Sequence, residues 1–134
     1  MKKVSLLIVV AMLATLVLAA CAGSGGGGGA TLDVTLNEFS FTPNTWTVNA
    51  GQQVTVNLKN SGTVTHDFTI MKTPISGSFT DADKANEIWA SPMVSAGQSQ
   101  TATFTAPSTA GTYQVVCTES GHFEAGMTGT LIVK

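Results

Sequence analysis

Arginine is absent from this chain of 134 residues, and six lysines are its only permanent cations. Four of them, Lys59, Lys72, Lys84 and Lys134, face eight acids after residue 30, so that part carries a net charge of −4. Nucleic-acid binding requires clustered positive charge, and a nucleic-acid partner is therefore excluded. Charged residues of either sign make up only 10% of the chain. Threonine, serine, glycine and valine are plentiful instead, as suits an exported all-β domain. Histidine occurs twice, as His66 and His122, and cysteine twice, as Cys21 and Cys117. No internal repeat is present.

The chain begins with a short positive segment, Lys2-Lys3, followed by an almost unbroken apolar run from Val4 to Ala20. That order marks a secretory signal rather than a core helix. It ends Leu18-Ala19-Ala20-Cys21, which resembles the lipobox of bacterial lipoproteins. The resemblance implies that residues 1–20 are removed and that Cys21 is acylated as the membrane anchor. The alternatives are a plain cleaved signal or an uncleaved span, since about 17 apolar residues is the lower edge of spanning length. Gly25 to Gly29 then form a run of five glycines, a flexible spacer. A phosphate-cradling loop would need a strand before it and a helix after it, and neither flanks this run. The expected organisation is thus a signal over 1–20, a lipidated cysteine and linker over 21–30, and one domain over 31–134.

Within that domain short alternating runs succeed one another, the pattern of half-buried strands. Thr31–Phe41 places Leu32, Val34 and Leu36 on one face. Trp46 and Val48 mark a second strand, and Gln53–Lys59 puts Val54, Val56 and Leu58 inward. Val64–Met71 is expected as a strand with His66, Phe68 and Ile70 on one face. Gln100–Thr105, Thr112–Cys117 and Thr128–Val133 complete the series. The stretch from Lys72 to Gly97 is looser, with a short helix expected over Thr80–Glu87, capped by Thr80 or Asp81. Asp81, Asp83 and Glu87 are expected on a solvated face, and Trp46, Trp89, Met71 and Met93 in packing roles. Seven or eight strands with turn residues between them and no long helix indicate a Greek-key β-sandwich.

One loop of this sandwich carries chemistry. CTESGHFEAGM spaces Cys117, His122 and Met127 five residues apart. If Cys21 is acylated, Cys117 is the only thiol left, and a lone thiol in an oxidising compartment needs an occupant. A thiolate, an imidazole and a thioether suit a soft metal ion, and His66 supplies a second imidazole. Two imidazoles and one thiolate in a trigonal plane, with a weak axial methionine sulfur, describe a blue-copper electron-transfer site. Singly, each of these residues is more often ordinary packing; their combination on strand ends of an exported domain is what points to a metal.

The surrounding sequence makes the assignment specific. Cys-x4-His-x4-Met within GTYQVVCTESGHFEAGMTGTLIVK resembles the metal loop of the auracyanin-like members of the plastocyanin/azurin (cupredoxin) family. Gly111, Tyr113, Gly121-His122, Ala125-Gly126-Met127 and Gly129-Thr130-Leu131 carry the likeness. It extends in outline over Thr31–Lys134 and is strongest from Pro92 onward. It implies a cupredoxin fold and one type 1 copper ion, with His66, Cys117 and His122 as equatorial ligands and Met127 as the axial one. It further implies a monomeric single-electron carrier on the outer, periplasmic or extracellular side of a bacterial membrane. Its partners would be membrane-bound redox complexes: a cytochrome complex as donor, and a photosynthetic reaction centre or terminal oxidase as acceptor. Phe123, with Ala125, Gly126 and Met93, is expected to form an apolar patch around an exposed imidazole edge. One departure stands out: the family usually places Asn after the first histidine, and this chain has Asp67.

Three other functions are weaker. A copper enzyme needs further histidines for a second or trinuclear centre, and both histidines here are already used. A periplasmic copper chaperone or store favours exposed or multiple soft ligands that release the ion. Structural zinc accepts cysteine and histidine, but a thioether on the same loop is a poor zinc ligand.

Overall fold

The structure, a computed structural model, describes residues 28–134. The signal segment and Cys21 lie outside the described residues. Nine strands are present among them: β1 (Ala30–Asn37), β2 (Ser40–Thr42), β3 (Thr45–Val48), β4 (Gln53–Asn60), β5 (Thr69–Met71), β6 (Glu87–Ala90), β7 (Ser99–Thr105), β8 (Gly111–Val116) and β9 (Thr128–Val133). They form two sheets, of order β2-β1-β4-β7 and β3-β9-β8-β5-β6. β1 runs parallel to β4 and β3 parallel to β9; the other pairs are antiparallel. This is the all-β sandwich expected.

Alternation explains which faces meet. Leu32, Val34 and Leu36 of β1 and Val54, Val56 and Leu58 of β4 are all buried. They pack against Trp46 and Val48 of β3, Val115 of β8, and Leu131 and Val133 of β9. Phe68 sits among aromatic edges, 5.7 Å from Phe41, 4.9 Å from Trp46 and 6.4 Å from Trp89 between ring centres. Gly129 is required where β9 passes Trp46, because a Cβ there would stand 2.7 Å from the indole ring. Among the described residues the core cluster runs from Leu32 to Val133, so the segment from residue 28 onward contains a core.

The differences from the sequence reading have local causes. The first expected strand is two, because the chain turns at Glu38-Phe39 and β2 folds back on the end of β1, pairing Leu36 with Phe41. β6 was not anticipated. The strand expected over Val64–Met71 is regular only from Thr69; His66 instead makes an isolated two-way bridge with Val94, at 3.1 and 2.8 Å. His66 through Met71 are all buried, so no single face dominates. Phe68 and Ile70 point into the core, while Asp67 and Thr69 are tied to each other by a side-chain hydrogen bond. The expected helix is present as a 3₁₀ helix, Asp81–Asn86, preceded by Thr80. Asp83 is not merely solvated there, since its carboxylate accepts the Thr80 N–H at 2.8 Å and hydroxyl at 2.7 Å. None of its residues is buried, so no apolar face exists to extend it into an α-helix. Met71 is buried as expected, but Met93 is 51% exposed and packs in no core.

Candidate metal centre

The site lies where β5 and β8 meet the loop that leads into β9. Residues 115 and 116 of β8 are buried on both sides of the strand, and Cys117 follows directly, fully buried. The loop from Cys117 to Met127 closes on itself: the Cys117 N–H donates to the Met127 carbonyl at 3.3 Å, and the Met127 N–H to the His122 carbonyl at 3.0 Å. Two left-handed glycines shape it, Gly121 at φ 80° and Gly126 at φ 100°. A side chain at either would be strained, which explains why glycine precedes His122 and Met127 in the motif.

His66 reaches the same point from the other direction, held by its bridge to Val94. The two Nδ1 atoms of His66 and His122 stand 3.1 Å apart. Cys117 Sγ is 3.8 Å from the first and 3.4 Å from the second. One ligand atom from each of the three residues lies within 4.8 Å of the others. Atoms bound at about 2.0–2.3 Å to one ion are necessarily no more than about 4.6 Å apart, so the observed separations suit a shared metal. Met127 is fully buried at the loop's far end. All four residues singled out from the sequence are therefore gathered at one end of the sandwich. The donor set, two imidazoles, one thiol and a neighbouring thioether, fits a soft ion such as copper.

Electrostatics supports the same reading. Burial pushes the Cys117 thiol up to about 12, and the nearby Asp67 carboxylate adds to the effect. Without a cation the sulfur is an inert thiol; a bound cation is what makes a thiolate favourable there. Burial lowers the basicity of His66, with His122 adding to the effect and Glu38 opposing it, so the ring is neutral and able to ligate.

Around the ligands are residues that the sequence did not reveal. Phe39 stacks edge-on against His122, ring centres 5.1 Å apart, and is 42% exposed. It covers the imidazole, whose own exposure is 7%. Glu38 and Asn60 brace the segment before His66. Their only sequence signal was polar character beside turn residues.

Asp67 has the bridging role that the usual asparagine would have. Its Oδ1 accepts the Thr118 N–H at 2.6 Å, and its Oδ2 accepts the Thr118 hydroxyl at 2.8 Å and the Thr69 hydroxyl at 2.9 Å. The residue after His66 is thus tied to the residue after Cys117. A buried carboxylate also places negative charge beside the metal position, which favours the more oxidised ion. Asp67→Asn retains an acceptor for the Thr118 N–H and removes the charge, so the reduction potential of the copper-loaded protein is expected to rise. Redox titration checks this, and an unchanged or lower potential refutes it.

Comparisons with known proteins agree with this geometry. Residues 29–134 match the family described as copper-binding proteins of the plastocyanin/azurin family. Auracyanin-A of Chloroflexus aurantiacus is 34% identical over 112 residues, spanning 72% of this chain and 68% of that protein. The solved structure of auracyanin A from the same organism, described as a "blue" copper protein, superposes with a TM-score of 0.68 at 32% identity, covering 80% of this chain and all of that one. Dithionite-reduced auracyanin from the photosynthetic bacterium Roseiflexus castenholzii gives a TM-score of 0.67 at 32% identity, over 78% of this chain and 97% of that one. The chain in that solved auracyanin A structure is thus a folded unit matched over its whole extent by 80% of this chain. The chain belongs to the plastocyanin/azurin family of copper-binding proteins, with His66, Cys117, His122 and Met127 arranged as a type 1 copper site.

Proposed function

We propose that this protein carries single electrons at the outer face of a bacterial membrane, held there by an acylated Cys21 and a glycine linker. Copper, when bound, supplies a one-electron couple. His66, Cys117 and His122 would hold it, with Met127 as the weaker fourth ligand. The observation that carries the reading is the buried meeting of two imidazole nitrogens and one sulfur, held by the His66–Val94 bridge and by a loop anchored between β8 and β9. Ligands held that way need little rearrangement when charge changes, and burial excludes water from the sulfur.

Electron exchange would pass through the His122 edge. Among the described residues, three of the four exposed large apolar side chains lie on this end of the domain: Phe39 against His122, Val64 two residues before His66, and Met93 beside the Val94 bridge. Such a patch suits brief docking to membrane redox complexes, a cytochrome complex as donor and a reaction centre or terminal oxidase as acceptor. The protein would act as a monomer.

Voltammetry of the copper-loaded domain, residues 28–134, is expected to give a reversible one-electron wave, and the ion should resist an excess of a Cu(I) chelator. Rapid loss to the chelator with no reversible wave would favour a copper store or chaperone. The full chain expressed in a bacterium should partition with membranes and become soluble on Cys21→Ala; a wild-type chain that is already soluble removes the tether.

A further inference from the structure

Glu38 lies just beyond β1, outside both sheets, and binds no metal, yet three donors converge on one of its oxygens. Oε1 accepts the backbone N–H of Thr63, the Thr63 hydroxyl at 3.1 Å and the Val64 N–H at 3.1 Å. Gly62 lies flat against the carboxylate: a Cβ there would stand 2.5 Å from Oε1 and 2.7 Å from Oε2. Successive N–H groups around one anion make a nest, and here the anion belongs to the chain itself. Asn60, buried, secures the same segment from its other side. Its amide donates to the Val64 and Val94 carbonyls at 2.7 and 2.8 Å, and its Oδ1 accepts the Gly62 N–H at 2.9 Å. The carboxylate is therefore fixed in place, not a mobile surface group.

What it faces is a ligand. The same Oε1 stands 3.9 Å from Nε2 of His66. That nitrogen is buried and has no hydrogen-bond partner among the described residues. A neutral imidazole has one proton and two nitrogens to hold it. With the proton on Nε2, an N–H dipole meets the carboxylate and Nδ1 is left bare toward Cys117 and His122. With the proton on Nδ1, a lone pair meets the negative charge, and the N–H stands where a metal would be.

We propose that Glu38 is a positioning residue of the metal centre: its nested carboxylate selects the Nε2–H tautomer of His66 and so presents Nδ1 to the metal. Histidine ligands commonly donate their second N–H to an outer partner that fixes the ring and raises its basicity. At 3.9 Å the contact is longer than a hydrogen bond, and it acts through the field of a fixed charge on the N–H dipole; a movement of about 1 Å would close it to a direct bond. The charge also acts on the metal through the ring, favouring its oxidised state. The inference rests on His66 being a ligand of the site described above.

The test uses residues 28–134 with Glu38→Gln and Glu38→Ala. Glutamine keeps an acceptor for the Thr63 and Val64 N–H groups and removes only the charge, whereas alanine removes both. Ring ¹⁵N shifts of the metal-free protein should show His66 protonated on Nε2 in the wild type. In E38Q the minor His66 tautomer should rise several-fold, with His122 Nδ1, 3.1 Å from His66 Nδ1, adjusting in step, and the potential of the copper-loaded variant should lie above the wild-type value. A His66 tautomer and a potential both unchanged in a folded E38Q would overturn the proposal, and E38Q decides if E38A fails to fold. Failure of the wild type to take up copper would instead strike the electron-carrier reading, leaving the metal-free ¹⁵N measurement to judge Glu38.

Discussion

Cys117→Ser is expected to abolish the intense visible absorption of the copper-loaded protein. That absorption arises from charge transfer between a thiolate and Cu(II), and Cys117 is the only cysteine among the described residues. Serine is nearly isosteric but a hard, weakly acidic donor, which a soft ion does not favour. The loss in copper affinity should exceed the ~10–100-fold that changes to outer-shell partners cost, because a ligand itself is removed. The variant should still fold, since Cys117 is already an un-ionised thiol in a buried site and its replacement adds one buried hydroxyl, at roughly 1–3 kcal/mol if unpaired. Spectra of wild type and variant after Cu(II) addition, with a thermal melt of each metal-free form, separate the two effects. A strong band surviving in a folded variant would mean that the sulfur of Cys117 is not a ligand.

Phe68→Ala should be the most destabilising single truncation near the site, by about 3–5 kcal/mol, the range for removing a buried aromatic. Phe68 is fully buried and its ring meets three others, Phe41, Trp46 and Trp89, from both sheets. Its backbone N–H donates to the Ser91 hydroxyl, and its carbonyl accepts from the Ser91 N–H, each at 3.0 Å. The cavity would therefore open between fixed strands that cannot easily collapse. Because Asp67 and His66 immediately precede it, looser packing here should also weaken copper retention. Guanidinium unfolding of the metal-free domain measures the change, with Ile88→Ala, at an exposed position, expected within about 0.5 kcal/mol of wild type. A Phe68→Ala cost below about 1 kcal/mol would contradict the packing described.

The contrast between what was and was not legible in the sequence follows chain distance. Cys117, His122 and Met127 could be found because they share one short loop, and His66 because no other histidine remained. The capped segment at Thr80 was visible because Thr80 and Asp83 are three residues apart. Alternation located most strands, since one side of each faces the core. It failed over Val64–Met71, where the core covers one side and Asp67, Thr69 and Thr118 bury the other through hydrogen bonds. Glu38 was invisible because its partners are 25 and 26 residues away, and polar residues at a turn carry no sign of what they will meet. Gly62 sits between serine and threonine in a turn-like stretch, but what forbids a side chain there is the Glu38 carboxylate, which a Cβ would meet at 2.5 Å. Met93 was assigned both to packing and to a surface patch, because a methionine beside a proline gives no indication of which way it faces; its exposure decides for the surface.

The closure of the 117–127 loop bears on how such a centre can diversify over evolutionary time. Val116 and Thr128 are paired across β8 and β9, so the ends of the loop are set by the ladder whatever lies between them. The strand ladder needs only those two ends, while the length of chain between them sets how His122 is spaced from Cys117 and Met127. Insertions or deletions between Thr118 and Gly126 can respace the ligands, and so retune the redox character of the protein, without shifting a single strand register. A lineage can thus vary its electron chemistry as a detachable module while selection on folding acts on a separate set of residues.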